Sequence, residues 1–166
     1  MVIKGLVLSI LFFLFTSGNV FSQDLNANRA IFLEGLGNGL TYSLNYDTRF
    51  GPEAYGLGGR GGVGFIPVDG VNITSFPFVL NYLLGQRGHY FEFGVGATIL
   101  TIGTRSEGNI SRKEFDRATG IGATLSIGYR YQPLDGGLMF RAGLAPIFDR
   151  TGNLPYWPQV SLGYAF

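Results

Sequence analysis

Residues 118–132 read Ala-Thr-Gly-Ile-Gly-Ala-Thr-Leu-Ser-Ile-Gly-Tyr-Arg-Tyr-Gln, and every second position is of one kind. One parity carries Ile121, Ala123, Leu125, Ile127, Tyr129 and Tyr131. The other carries Gly120, Gly122, Thr124, Ser126, Gly128, Arg130 and Gln132. Period two sustained over this length predicts an extended strand, because a helical stripe would recur at three and four. Residues 89–100 repeat the pattern, with His89, Phe91, Phe93, Val95, Ala97 and Ile99 set against Tyr90, Glu92, Gly94, Gly96 and Thr98.

Working outward, the same template fits residues 28–37, 40–50, 55–65, 73–84, 138–148 and 159–166. Eight antiparallel strands are therefore expected, with no second domain. Residues 85–88 and 133–136 make short links at one end. Longer polar loops are expected after the third strand (around Asp69-Gly70), the fifth (Thr104 to Asp116) and the seventh (Asp149 to Trp157). Between the first and second strands, Gly37-Asn38-Gly39 predicts a tight hairpin turn.

Alternation alone does not say which face meets water. The contents of the minor face decide it. That face holds Gly58, Gly62, Gly64, Gly94, Gly96, Gly120, Gly122, Gly128 and Gly143, together with Glu34, Asp47, Arg49, Arg60, Glu92, Arg130 and Arg141. All the strand-core charges share this parity, and the opposite face is aromatic and branched. Small residues that let long charged ones cross fit the narrow interior of an eight-stranded barrel. The aromatics form two groups. Tyr46, Phe50, Tyr55, Tyr82, Phe91, Tyr129, Tyr131, Tyr164 and Phe166 lie toward one end, and Phe65, Phe76, Phe78, Phe148, Tyr156 and Trp157 toward the other. Two such belts are the girdles of a barrel placed in a membrane.

Composition agrees with this. The 166 residues include 27 Gly, 15 Phe and 9 Tyr, and only 14% are charged, against about 25% in an ordinary soluble domain. The absence of cysteine excludes a disulfide framework, a thiolate metal site and a cysteine nucleophile. Residues 1–22 read as a signal peptide: Lys4, an apolar run from Gly5 to Phe15, then Val20 and Ser22 at the cleavage positions. The eleven apolar residues would rise about 16 Å as a helix, too little for a bilayer core of about 30 Å. The mature chain, residues 23–166, loses only Lys4, so 12 basic residues become 11 against 11 acidic ones. No basic field remains to attract nucleic acid.

Over residues 28–166 the chain resembles the small bacterial outer-membrane β-barrel superfamily, the OmpA/OmpX-type barrels. The resemblance rests on the alternating strands, the long loops at one rim, and the terminal Val160-Ser161-Leu162-Gly163-Tyr164-Ala165-Phe166. It implies an all-β, eight-stranded, up-and-down transmembrane barrel with both termini in the periplasm. Leu162, Tyr164 and Phe166 would then carry the signal read by the outer-membrane assembly machinery, from which pattern Gly163 is a departure. Outer-membrane lipid is the other implied partner, and the barrel would be a monomer.

Candidate chemistry is sparse. His89 is the one histidine, and position 91, where a lipid A deacylase of the outer membrane would have its serine, is Phe91. No Ser-His-Asp set can be assembled around it. The loop from Arg105 to Asp116 lacks the spaced ligands of a calcium site. The glycines of residues 58–62 lack the lysine and following helix of a phosphate cradle. No enzyme, cofactor or metal is expected. The informative set is Glu34, Asp47 and Glu92 with Arg49, Arg60, Arg130 and Arg141, read as an ion network that plugs the lumen. The alternatives are a narrow gated channel for small solutes and a lipid-modifying barrel enzyme.

Overall fold

Side chains that alternate between bulky-apolar and small-or-polar favour an extended backbone, because only a pleated strand sorts them onto two faces. The computed structural model describes residues 26–68, 71–105, 115–149 and 152–166. The expected signal peptide lies outside the described residues. The strands are β1 (Arg29–Leu36), β2 (Tyr42–Arg49), β3 (Gly56–Val68), β4 (Val71–Gln86), β5 (His89–Arg105), β6 (Phe115–Tyr131), β7 (Gly137–Leu144), β8 (Ile147–Phe148), β9 (Asn153–Leu154) and β10 (Pro158–Ala165).

Each strand pairs antiparallel with its neighbour, and β1 pairs with β10, with Leu33 opposite Leu162. The sheet therefore closes on itself. At the foot of the seam, Arg29, the first residue of β1, exchanges both backbone hydrogen bonds with Phe166. Strands β7 and β8 are two parts of one wall strand. Leu144 faces Ile127 and Phe148 faces Ala123, which is one unbroken register against β6. The interruption falls at Ala145-Pro146, where proline has no N–H to donate, although the Pro146 carbonyl still accepts from Leu125 N at 2.9 Å. Counted this way, the described residues form a closed eight-stranded antiparallel barrel, with β9 an extra arm paired to β8.

Three connections differ from expectation. The loop after the third strand is not long. Val68 pairs with Val71, so only residues 69 and 70 join the strands, because the alternation continues past Phe65. The link between β1 and β2 is not a simple hairpin turn at the rim. Gly37–Gly39 forms a 3-10 turn whose three residues are buried, because it folds into the barrel. The fifth and sixth strands also run further than read, to Arg105 and from Phe115, which shortens the loop between them to residues 106–114.

Wall height is uneven. β4, β5 and β6 have 16, 17 and 17 residues, whereas β1, β2 and β10 have 8 each. Pairing of β2 with β3 begins only at Leu44–Val63, and β6 pairs with β8 no higher than Ala123–Phe148. The upper parts of β3 to β6 thus rise above the rest as a four-stranded sheet. Both faces of β6 are exposed from Ala118 to Ile121, as expected where a wall has left the barrel.

Below the raised part of β3 to β6, the faces sort by parity along the wall strands. Leu33 and Leu125 point outward. Asp47, Ser126 and Arg130 point inward and are fully buried. The aromatic residues of both sequence-defined belts lie on the outside, apart from the partly covered Trp157. Inside, Ala27, Ala30, Phe32, Met139 and Ala165 form an apolar floor near the termini, beside a second cluster of Ala54, Leu83 and Tyr90. Everything between that floor and the outer mouth is predominantly polar.

Candidate functional site

The largest fully buried side chains are Arg130 and Arg141. Such groups are tolerated inside only if each charge meets partners. The strand parity puts them where it can, since inward positions on facing strands reach across a narrow barrel. Glu34 (β1), Asp47 and Arg49 (β2), Arg60 (β3), Glu92 (β5), Arg130 (β6) and Arg141 (β7) are all at most 4% exposed, and all seven belong to one connected cluster.

At the level nearest the floor, Asp47 Oδ1 accepts from Arg49 Nη2 at 2.5 Å and from Arg130 Nη2 at 3.1 Å. Asp47 Oδ2 accepts from Asn81 Nδ2 at 2.6 Å, and Arg49 Nη2 also donates to Asn81 Oδ1 at 2.6 Å. Arg130 Nε donates to Gln132 Oε1 at 2.8 Å, and Gln132 Nε2 in turn donates to the Ala27 carbonyl. One level up, Arg141 Nε and Nη2 donate to the two oxygens of Glu92, each at 2.8 Å. Its Nη1 reaches Glu34 Oε2 at 3.0 Å and Ser161 Oγ at 3.2 Å. Arg60 Nη1 donates to the same Glu34 oxygen at 2.8 Å. Asn81 Nδ2 contacts Glu92 Oε1 at 3.2 Å, and Arg130 Nη1 lies 3.7 Å from Glu92 Oε2. These two contacts join the levels.

The cluster is therefore tied to all eight wall strands, with β4 entering through Asn81 and β10 through Ser161. Four guanidinium groups meet three carboxylates, so the cluster carries one excess positive charge. Phe32 lies below the upper level, its ring 4.9 Å from Arg141 Cζ and 5.8 Å from Arg60 Cζ, within the range of a cation–π contact.

Glycine makes the packing possible. A Cβ on Gly58 would fall within 2.5 Å of the Thr48 carbonyl oxygen and overlap the Arg49 guanidinium. The long arginine lies across the space that the missing side chain leaves.

Above the charges, Asn38 forms the next level. Its backbone N donates to Glu34 Oε1 at 3.0 Å, and Arg60 Nη2 donates to its Oδ1 at 2.5 Å. Its Nδ2 donates to the Leu125 carbonyl at 3.2 Å, and Thr98 Oγ1 donates to its carbonyl at 2.7 Å. Ser126 and Gln159 exchange hydrogen bonds alongside, at 3.0 and 3.3 Å. Sequence reading missed Asn38, Asn81, Gln132, Gln159 and Ser161 as members of the cluster. All but Asn38 lie on the inward parity and could have been included on that basis. Asn38 sits between two glycines, and local turn chemistry hides its role.

The remaining candidates lie elsewhere. His89 is exposed at the outer surface near the β4–β5 turn, with Nδ1 2.6 Å from the Tyr129 hydroxyl and its ring 5.2 Å from that of Tyr131. Leu162, Tyr164 and Phe166 form an outward stripe on and just beyond β10.

No protein-family model matches the sequence, and no curated protein sequence matches it. Among solved structures, the N-terminal β-barrel domain of Pseudomonas aeruginosa OprF is similar, with a TM-score of 0.59 and 14% sequence identity over 83% of this chain and 95% of that one. At that identity the likeness is one of architecture, and the chain has the closed eight-stranded β-barrel fold of the OprF N-terminal domain.

Proposed function

We propose that the protein is a bacterial outer-membrane barrel that spans the bilayer as a plugged wall and acts through its outward rim, as a structural or surface-interaction element and not as an enzyme. The observation that carries this reading is the lumen cluster, which ties all eight wall strands together across the interior. A barrel built to pass solutes gains nothing from filling its interior with mutually paired side chains, whereas a barrel built to anchor a surface gains rigidity. The exterior supports the membrane setting, since an apolar band with aromatic belts suits lipid, and closure pairs the wall strands all the way round. The likeness to the OprF domain agrees with that setting.

On this reading residues 1–22 direct export and are removed. Both chain ends face the periplasm, Leu162, Tyr164 and Phe166 are read by the assembly machinery, and the barrel works as a monomer among lipids. The raised part of β3 to β6 is then the surface offered outside.

Planar-bilayer recording of the purified, folded protein tests the plug. The expected trace shows no steady discrete openings, and openings that depend on Arg60 or Glu92 would replace this reading with the narrow gated channel. Deleting residues 105–116 tests the outward role: adhesion is expected to fall while envelope permeability stays unchanged.

A further inference from the structure

The turn between β1 and β2 enters the lumen from its outer end, and its backbone is under strain. Leu36 has φ 62 and ψ −129, and Leu40 has φ 77 and ψ −66. The first conformation belongs to the glycine position of a II′ turn, and the second to the rare γ-turn that ordinary residues avoid. Gly37, at φ 63, is the one residue of the three suited to positive φ. Burial of the leucines does not offset the strain, since Leu36 is exposed and Leu40 only half-buried.

Polar contacts hold the segment. Asn38 takes part in four hydrogen bonds, to Glu34, Arg60, Thr98 and the Leu125 carbonyl. Ser75 Oγ adds a fifth at 2.9 Å, to the Gly39 carbonyl. The partners come from β1, β3, β4, β5 and β6, so the turn is clasped from around the barrel. Against its outer side lies a cavity of about 250 Å³, bounded by Asn38, Leu40, Thr98, Leu100, Ile147 and Leu154. The segment thus has strain pushing it out of its seat, a small set of hydrogen bonds keeping it there, and space next to it.

We infer that residues 36–41 are a retractable plug, which lifts toward the outer mouth through this cavity and opens the lumen beneath it down to the Arg60–Glu34 pair. Withdrawal frees both leucines from positive φ and exchanges the Asn38 contacts for water. Strain of this kind persists only where surrounding contacts over-determine it, and it clusters at ligand clamps and switch regions. The pairs of Arg141 with Glu92 and of Asp47 with Arg49 lie below and stay closed. The inference therefore concerns the outer half alone and holds whether or not the whole lumen conducts.

The chain has no cysteine, so a single introduced thiol reports access cleanly. Ser43 is fully buried and lies against Gly39, with no room for a side chain between them. Ser43→Cys, folded in lipid nanodiscs and checked by its heat-sensitive gel mobility, is treated with a small charged methanethiosulfonate. Slow labelling is expected. Adding Asn38→Ala should accelerate it about tenfold, as loss of a clustered hydrogen bond shifts a local opening equilibrium. Adding Leu36→Gly with Leu40→Gly should slow it several-fold, because glycine removes the strain that favours withdrawal. If Asn38→Ala does not fold, Thr98→Val removes only the hydroxyl donor to the Asn38 carbonyl and should also accelerate labelling. Faster labelling with the glycine pair, or an unchanged rate with Asn38→Ala or its Thr98→Val substitute, overturns the inference.

Discussion

Arg141 on β7 holds Glu92 on β5 through two parallel hydrogen bonds of 2.8 Å across the lumen. This fork-to-fork pairing fixes both position and direction. Because β6 lies between these two strands in the wall, the pair clamps a three-strand arc from within. Removing one partner leaves the other charged and buried, which costs about 3–5 kcal/mol. Arg141→Ala is expected to lower unfolding free energy in lipid by that amount. The joint change of Arg141→Met with Glu92→Gln should cost less, as no full charge is stranded at that pair. Urea titration followed by tryptophan fluorescence of Trp157 measures both. A larger loss in the double variant would mean that the pair contributes net attraction beyond its desolvation cost.

Adjacent residues on β6 face opposite media. On the proposed membrane setting Leu125→Arg places a charge in lipid and is expected to cost about 2–4 kcal/mol at mid-bilayer. Its penalty should shrink in bilayers of shorter acyl chains. Ser126→Arg meets a filled lumen, where Ser126 is fully buried beside Gln159, and its penalty should not depend on lipid length. Folding yields across a lipid series distinguish the two, and parallel behaviour would contradict the facing.

Two glycines should respond differently to an added methyl group. Gly58→Ala is expected to destabilise the barrel by about 1–3 kcal/mol through overpacking, because its Cβ would press on the Thr48 carbonyl and Arg49. Gly51→Ala meets nothing within 4 Å and should be neutral to within about 0.5 kcal/mol. Melting in detergent, compared side by side, reads the difference.

The outward stripe of the last strand allows the proposed assembly role to be tested apart from stability. Phe166 contributes its backbone to the seam with Arg29, and its ring is exposed. Phe166→Ala retains those backbone bonds, so refolding of the purified chain into vesicles is expected to proceed at nearly the original rate. Insertion in living cells, measured as outer-membrane abundance, is expected to fall sharply. Equal loss in both assays would assign the ring a folding role instead.

The barrel was legible because its signal is local and repeated. In residues 89–100 and 118–132, parity sorts the side chains onto two faces and the glycines and charges mark the inner one, an assignment that only flipping a whole strand would reverse. The seven charged members of the cluster were legible for the same reason. Their pairing was not, because it depends on reach across the lumen between distant strands: the sequence leaves open whether Arg141 meets Asp47 or Glu92. Asn38 was illegible for a different reason. A Gly-Asn-Gly sequence is what a surface hairpin would also use, and only the surrounding Arg60, Thr98 and Ser75 make it an inward turn. The short link at residues 69–70 was hidden by Pro67 and Asp69-Gly70, which read as loop chemistry although the ladder continues to Val68.

The unequal walls have a consequence for the bilayer. Eight residues on β1, β2 and β10 span about 27 Å along the strand and about 20 Å of height at a tilt near 40°. A typical apolar band is about 25 Å tall. Set in a membrane, the low side is mismatched and the high side is not. Lipid must thin beside the β1–β10 seam, or the barrel must lean toward it. On the membrane setting proposed above, the molecule then has a front and a back in the plane of the bilayer.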